Sequence, residues 1–116
     1  MPVRNVRRRY LALHIHGETD ISEADLHRAI SDKIHFLYGV KGAAETDFRM
    51  IEYDQQLRQG IIRCSHDRLT ETRAALAHIT SINDAPVALQ VVTVSGTIKT
   101  LRKRLTETMG TWPRSK

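Results

Sequence analysis

Hydrophobic residues recur at two different spacings along this chain, and the order in which the spacings alternate restricts the fold more than any other feature. In "RYLALHIHG", Leu11, Leu13 and Ile15 alternate with other residues, which is typical of a half-buried strand. The β-branched run "VALQVVTVSG" predicts a second strand that is central in the sheet and well buried. Between them, "FRMIEYD" and "GIIRCS" predict two short strands joined as a hairpin.

Three segments have the spacing of amphipathic helices. The first has Ser22 and Asp25 as a capping pair and is expected to close at Gly39, with a loop from there to Asp47. The second is "RLTETRAALAHI", which follows the pair of short strands. The third, "TIKTLRKRL", follows the last strand directly. The full order is therefore β-α-β-β-α-β with an added C-terminal basic helix.

This order predicts an α/β fold of the α+β sandwich type. It is the ferredoxin-like arrangement, which the four-stranded RNA-recognition domains also use. A chain of 116 residues that is 41% hydrophobic can bury one modest core, so we expect a single domain over residues 1–116. Residues 1–6 and 110–116 are predicted to be flexible tails.

Positive charge is concentrated at the two ends of the chain, whose net charge is +5. Residues 1–9 contain four arginines and no acid, and residues 99–116 contain six basic residues and the single acid Glu107. Clustered charge of this kind favours a polyanion such as nucleic acid as the partner. Two solvated basic tails remain the alternative.

The turn "VSGTIK" combines the features of an anion-binding helix start. Gly96 permits a tight turn, and Ser95 or Thr97 can cap the helix, whose first N–H groups then attract a phosphate. The basic helix residues are expected to face water, and an ordinary capped helix is the alternative. The candidate RNA-binding residues are Arg7, Arg8, Arg9, Ser95, Gly96, Thr97, Lys99, Arg102, Lys103 and Arg104.

Metal binding and catalysis receive little support from the sequence. The pairs His14-x-His16 and Cys64-x-His66 resemble zinc ligands, but strand alternation puts the first two histidines on the face opposite Cys64. P-loop, HExxH and GxSxG motifs are absent from the sequence. The acids Asp47, Glu52 and Asp54 are interpreted as a solvated edge. We therefore predict no metal site and no catalytic residue.

The sheet face opposite the two crossover helices is predicted to be open. It would present Tyr10, His14, His16 and Arg63, a small set for base stacking. Ile61 and Val92 are expected to be exposed on the same face, which predicts that another chain covers it as a dimer or a hetero-complex.

Three segments together resemble the ribonuclease P protein component 2, or Pop-five, family of archaea and eukaryotes. They are "RRRYLALHI", "GIIRCSHDRLTETRAALAHI" and "VALQVVTVSGTIKTLRKRL". The resemblance extends over most of residues 7–105, and its most specific parts are "IIRC" followed by "RAAL", and "VSGTIK". The positions that match the family motifs are Arg8, Arg9, Tyr10, Arg63, Ser95, Gly96, Thr97, Ile98 and Lys99.

The resemblance implies a non-catalytic, RNA-binding subunit that supports the ribonuclease P RNA in removing the 5′ leader from precursor tRNA. It implies no cofactor on this chain, magnesium on the RNA subunit, the barrel-fold component 3 protein as a partner, and a homodimer within a heterotetramer. The lack of a long apolar segment leads us to expect a cytoplasmic protein with no membrane contact. A small-molecule-binding regulatory module of the same fold, or a free-standing enzyme, are the alternatives.

Overall fold

The computed structural model describes residues 7–109, and its elements follow the predicted order. The two predicted tails lie outside the described residues. The strands are β1 (Arg8–His16), β2 (Arg49–Asp54), β3 (Gln59–Ser65), β4 (Ser81–Ile82), β5 (Ala85–Pro86) and β6 (Ala88–Ser95). The helices are α1 (Glu23–Thr46), α2 (Leu69–His78) and α3 (Ile98–Met109), with a 3-10 turn at His66–Arg68.

The main sheet has the strand order β2-β3-β1-β6, and every neighbouring pair is antiparallel. Strand β1 is therefore central, and the last long strand, β6, pairs beside it at the edge of the sheet. The expectation of a central, well-buried last strand was wrong, because β6 has one neighbour in the sheet and only Ser95 among its residues is buried. This is the ferredoxin-like arrangement, so the predicted fold class is confirmed. Strands β4 and β5 form a separate two-residue ladder before β6.

Helices α1 and α2 cover one face of this sheet, which we call the α1/α2 face. Alternation along β1 brings Leu11, Leu13 and Ile15 to this face, together with Ile62 and Cys64 of β3. The helix residues packed on them are Leu26, Ile30 and Ile34 of α1 and Ala75 and Leu76 of α2. The prediction that His14 and His16 face away from Cys64 is therefore confirmed.

Helix α3 covers part of the opposite face, which we call the α3 face. Leu101 and Leu105 pack there against Ala12 and Ile61, and all four are at most 1% exposed. The expectation that Ile61 and Val92 are exposed was therefore wrong, because the chain's own helix folds back over them: Ile61 is fully buried and Val92 is partly buried. These two positions no longer indicate contact with another chain.

Helix α1 is longer than the sequence predicted. Gly39 does interrupt it, with a φ of 74° that favours glycine, but residues 40–46 form further helical turns instead of a loop. A Cβ at Gly42 would lie 2.5 Å from the Cβ of Tyr38, so the second segment needs a glycine at this close approach. Within residues 7–109, no helix is both long and apolar enough to cross a membrane.

Candidate nucleic-acid interface

The two basic segments that the sequence singled out meet at one end of the sheet. We call it the basic end; here β1 begins and β6 ends, with Tyr10 paired to Ser95. The Arg9 guanidinium lies against Gly96, since a Cβ at that glycine would be 3.3 Å from Arg9 Nη1. Arg9 Nη1 also donates a 2.9 Å hydrogen bond to the Arg8 carbonyl. Arg9 of the first segment therefore contacts the turn that leads into the second segment.

The turn into α3 is capped by Thr97. Its Oγ1 accepts a 3.2 Å hydrogen bond from the Thr100 N–H, and its carbonyl accepts from Leu101 N at 3.1 Å. Ser95 Oγ accepts a 3.4 Å hydrogen bond from the Thr97 N–H. Gly96 is not among the residues with positive φ. The lack of a side chain therefore matters here because it leaves room for Arg9, and not because the turn needs a left-handed residue.

The basic residues of α3 differ in how they are held, although all were expected to face water. Lys99 and Lys103 are exposed and make no ion pair with any other residue in the described range. Arg102 instead pairs with Glu52 on β2, with Nη2 and Oε1 2.5 Å apart. Arg104 donates a 2.9 Å hydrogen bond to the carbonyl of Val94. Arg102 and Arg104 therefore anchor α3 to the sheet.

The arginines at the start of β1 approach the beginning of β2. Arg8 Nη1 lies 3.7 Å from Asp47 Oδ2, and Asp47 Oδ1 lies 3.4 Å from the Nε of Arg49. Arg7 is exposed, and its carbonyl accepts a 2.8 Å hydrogen bond from His66 N. The basic end thus extends across the sheet from α3 to β2.

Two residues of this surface were absent from the candidate set. Arg49 on β2 and Arg63 on β3 are paired directly across the strands, and Arg63 is also paired with Tyr10. Alternation already put Arg63 on the α3 face. Arg49 could not be placed from the sequence, because a register shift between Met50 and Glu52 changes its partner. Glu52, interpreted as part of a solvated edge, has a side chain only 10% exposed.

A histidine pair lies at the other end of the α3 face. The rings of His14 and His16 are 4.4 Å apart, and His16 Nε2 bonds Gln90 Oε1 at 2.7 Å. Burial lowers the pKa of His14, and the neighbouring His16 and Arg58 lower it further.

On the α1/α2 face, burial raises the pKa of the Cys64 thiol despite a hydrogen bond with Thr72 and the nearby Arg9. His14 and Cys64 are therefore both biased toward their neutral forms.

Comparisons with known proteins agree on one family. Residues 9–106 match the model of the Rpp14/Pop5 family. The ribonuclease P protein component 2 of Archaeoglobus fulgidus is 34% identical over 106 residues, which cover 91% of this chain and 94% of that protein. Its counterpart from Methanosarcina mazei is 31% identical over 110 residues, covering 95% and 93% of the two chains.

A solved structure supports the same fold. A chain in the cryo-EM structure of yeast ribonuclease MRP superposes with a TM-score of 0.66 at 14% identity. The superposition covers 94% of this chain and 93% of the yeast chain. The likeness therefore extends over nearly the whole chain, and not over one motif.

Proposed function

Because this chain belongs to the Rpp14/Pop5 family, we propose that it binds the RNA of its complex through the basic end of the sheet. The chain is a protein subunit of ribonuclease P, as the component 2 relatives are. The regulatory-module alternative does not account for a family match over residues 9–106. A free-standing enzyme does not account for it either.

The observation that carries the proposal is the contact between Arg9 and Gly96. It joins Arg9 of β1 to the turn before α3. Lys99 follows this turn, at a helix start whose N–H groups favour an anion. Contacts of this type are made with the phosphate backbone, and they position a protein on RNA without reading its sequence. The proposed interface comprises Arg7, Arg8, Arg9, Ser95, Gly96, Thr97, Lys99, Arg102, Lys103 and Arg104.

The members of this interface differ in their roles. Lys99 and Lys103 are free to reach a phosphate, because neither is held in an ion pair within the described range. Arg102 contributes with its charge already partly balanced by Glu52. Most of the electrostatic attraction of α3 is therefore assigned to its two lysines.

We assign the chemistry of tRNA 5′ maturation to the RNA subunit and its magnesium, and not to this chain.

The component 3 protein is the proposed protein partner, with two copies of each protein in the complex. Phe36 and Val40, on either side of Gly39 in α1 and each 80% exposed, offer an apolar surface for such contacts. We further propose a cytoplasmic location.

The double variant Lys99→Gln/Lys103→Gln tests the RNA interface. Glutamine is nearly as good a helix former as lysine, so the fold is expected to persist. RNA affinity should fall, and the negative slope of log affinity against log salt should become shallower by roughly 0.9 for each duplex phosphate that the variant no longer neutralises. The measurement is binding of the ribonuclease P RNA by both proteins at several salt concentrations.

A control variant removes one charge from a remote helix. Arg73 is an exposed residue of α2, which lies on the α1/α2 face. Arg73→Gln should leave the salt slope unchanged. Equal slopes for the double variant and wild type would contradict the proposed interface.

Reconstitution tests the assignment of catalysis. The complete chain mixed with ribonuclease P RNA, component 3 protein and magnesium should increase 5′ cleavage of precursor tRNA over that of the RNA alone. The chain without RNA should cleave nothing at any magnesium concentration. Cleavage of precursor tRNA by the purified chain alone would show that the non-catalytic assignment is wrong.

A further inference from the structure

Two arginines face each other across neighbouring strands on the α3 face. Arg49 of β2 is paired with Arg63 of β3, and Arg63 is paired in turn with Tyr10 of β1. Like charges at directly opposite positions destabilise a sheet. The fold alone gives no reason for this pair.

The guanidinium of Arg63 carries a second unfavourable feature. Its Nε is buried, yet within residues 7–109 it has no hydrogen-bond partner. A buried donor that lacks an acceptor is destabilising, and more so when the group is charged. The only other such side-chain atom in the described part of the chain is Nδ1 of His66, which follows the same strand directly.

Nearby carboxylates do not balance this positive charge. Asp47 is shared between Arg8 and Arg49, at 3.7 and 3.4 Å. Glu52, the next acid along the chain, is paired with Arg102. Arg63 makes no ion pair with any of the described residues. This part of the surface therefore holds more positive than negative charge, and the buried Nε of Arg63 has no acceptor among the described residues.

We propose that Arg63 and Arg49 together form a binding site for one phosphate group of the RNA backbone. A phosphate accepts several hydrogen bonds from the planar guanidinium fork, and its charge would relieve the repulsion between the two arginines. The site is continuous with the basic end, because Arg63 and Ser95 are the two strand partners of Tyr10. RNA is therefore the phosphate source that the surroundings favour. This inference rests on the proposed RNA-binding function and adds a specific anchor to it.

The variant Arg63→Met tests the site, because it removes the guanidinium and keeps a long apolar side chain. RNA affinity should fall about tenfold or more, as expected for the removal of hydrogen bonds to a charged group. The urea midpoint should stay the same or rise, because the buried unpaired donor and the cross-strand repulsion both disappear. A merely structural role for Arg63 predicts the opposite change in the midpoint. Arg49→Met should also weaken RNA binding, and Arg73→Met is the matched control.

Inorganic phosphate provides a second readout in the absence of RNA. At equal ionic strength, sodium phosphate should raise the thermal midpoint of wild type above its value in sodium chloride, and the rise should be smaller for Arg63→Met. If the phosphate effect depends on Arg63 but RNA binding does not, the site binds a free phosphorylated molecule. In that case the assignment to RNA would be wrong.

The outcomes also separate this inference from the proposed function. If Arg63→Met binds RNA as well as Arg73→Met does, while Lys99→Gln/Lys103→Gln binds weakly, the assignment of Arg63 to an RNA phosphate is wrong and the RNA interface stands. If wild type itself fails to bind the RNA, the proposed function fails, and the assignment of the phosphate site to RNA fails with it.

Discussion

Replacing Leu101 by alanine is expected to lower the free energy of unfolding by about 2–5 kcal/mol, the usual cost of truncating a fully buried leucine. Leu101 has no exposed surface and packs with Leu105 on Ala12 and Ile61. The substitution would leave a cavity between α3 and the sheet, and partial detachment of the helix would expose Ile61. Urea unfolding followed by circular dichroism gives the midpoint and slope that measure the destabilisation.

The control for this prediction is Lys103→Ala, on the exposed side of the same helix. Alanine is the best helix former, so this change should alter the free energy of unfolding by less than about 0.5 kcal/mol. If Leu101→Ala were equally harmless, α3 would not pack on the sheet in solution. The α3 face would then be free for a partner, as the sequence pattern suggested.

Replacing Arg102 by glutamine is expected to destabilise the fold by about 1–3 kcal/mol, because it leaves the Glu52 carboxylate without its partner. The Glu52 side chain is only 10% exposed, whereas that of Arg102 is 34% exposed. Breaking the pair therefore costs more at the Glu52 carboxylate, because it has less contact with water. The double variant Glu52→Gln/Arg102→Gln should be destabilised by less than the sum of the two single variants. The measurement is a double-mutant cycle by urea unfolding.

The neighbouring Lys103→Gln provides the comparison, since it removes the same charge without breaking an ion pair. If Arg102→Gln destabilised the protein no more than Lys103→Gln does, Arg102 would not anchor α3. In that case Arg102 would be available to RNA on the same terms as Lys99. The result therefore decides which basic residues of α3 can be substituted in RNA-binding experiments without disturbing the fold.

Local patterns were sufficient wherever a property depends on residues close in sequence. Short-range spacing accounts for three features. They are the 3.1 Å hydrogen bond that the Asp25 N–H donates to Ser22 Oγ, the interruption of α1 at Gly39 and the buried side of β1. The mixed Ala, Gly and polar composition of the segment after Gly39 predicts a loop, but the segment is helical. It is helical because Ala, Lys and Glu are good helix formers and glycine can change the chain direction at one residue.

The candidate interface was only partly predictable for a related reason. The sequence marked Arg9 and Gly96 separately, and the antiparallel pairing of β1 with β6 brought them together. Arg49 could not be assigned because its position opposite Arg63 depends on the register of β2, which is shifted by an irregularity. Side chains alternate with a period of two, so one extra residue changes which face a strand residue occupies.

By itself, the sequence determined the order of strands and helices, the fold class they imply, the residues of the main core and the charge of the two ends. Only the tertiary structure decided that α3 folds back over the sheet, that Arg102 binds Glu52 on a distant strand, and that Arg63 keeps a buried donor without a partner. The difference has one physical cause. Periodicity and capping act between near neighbours, whereas these contacts depend on strand register and on the direction in which a helix leaves its strand, and both are set by packing across the whole domain.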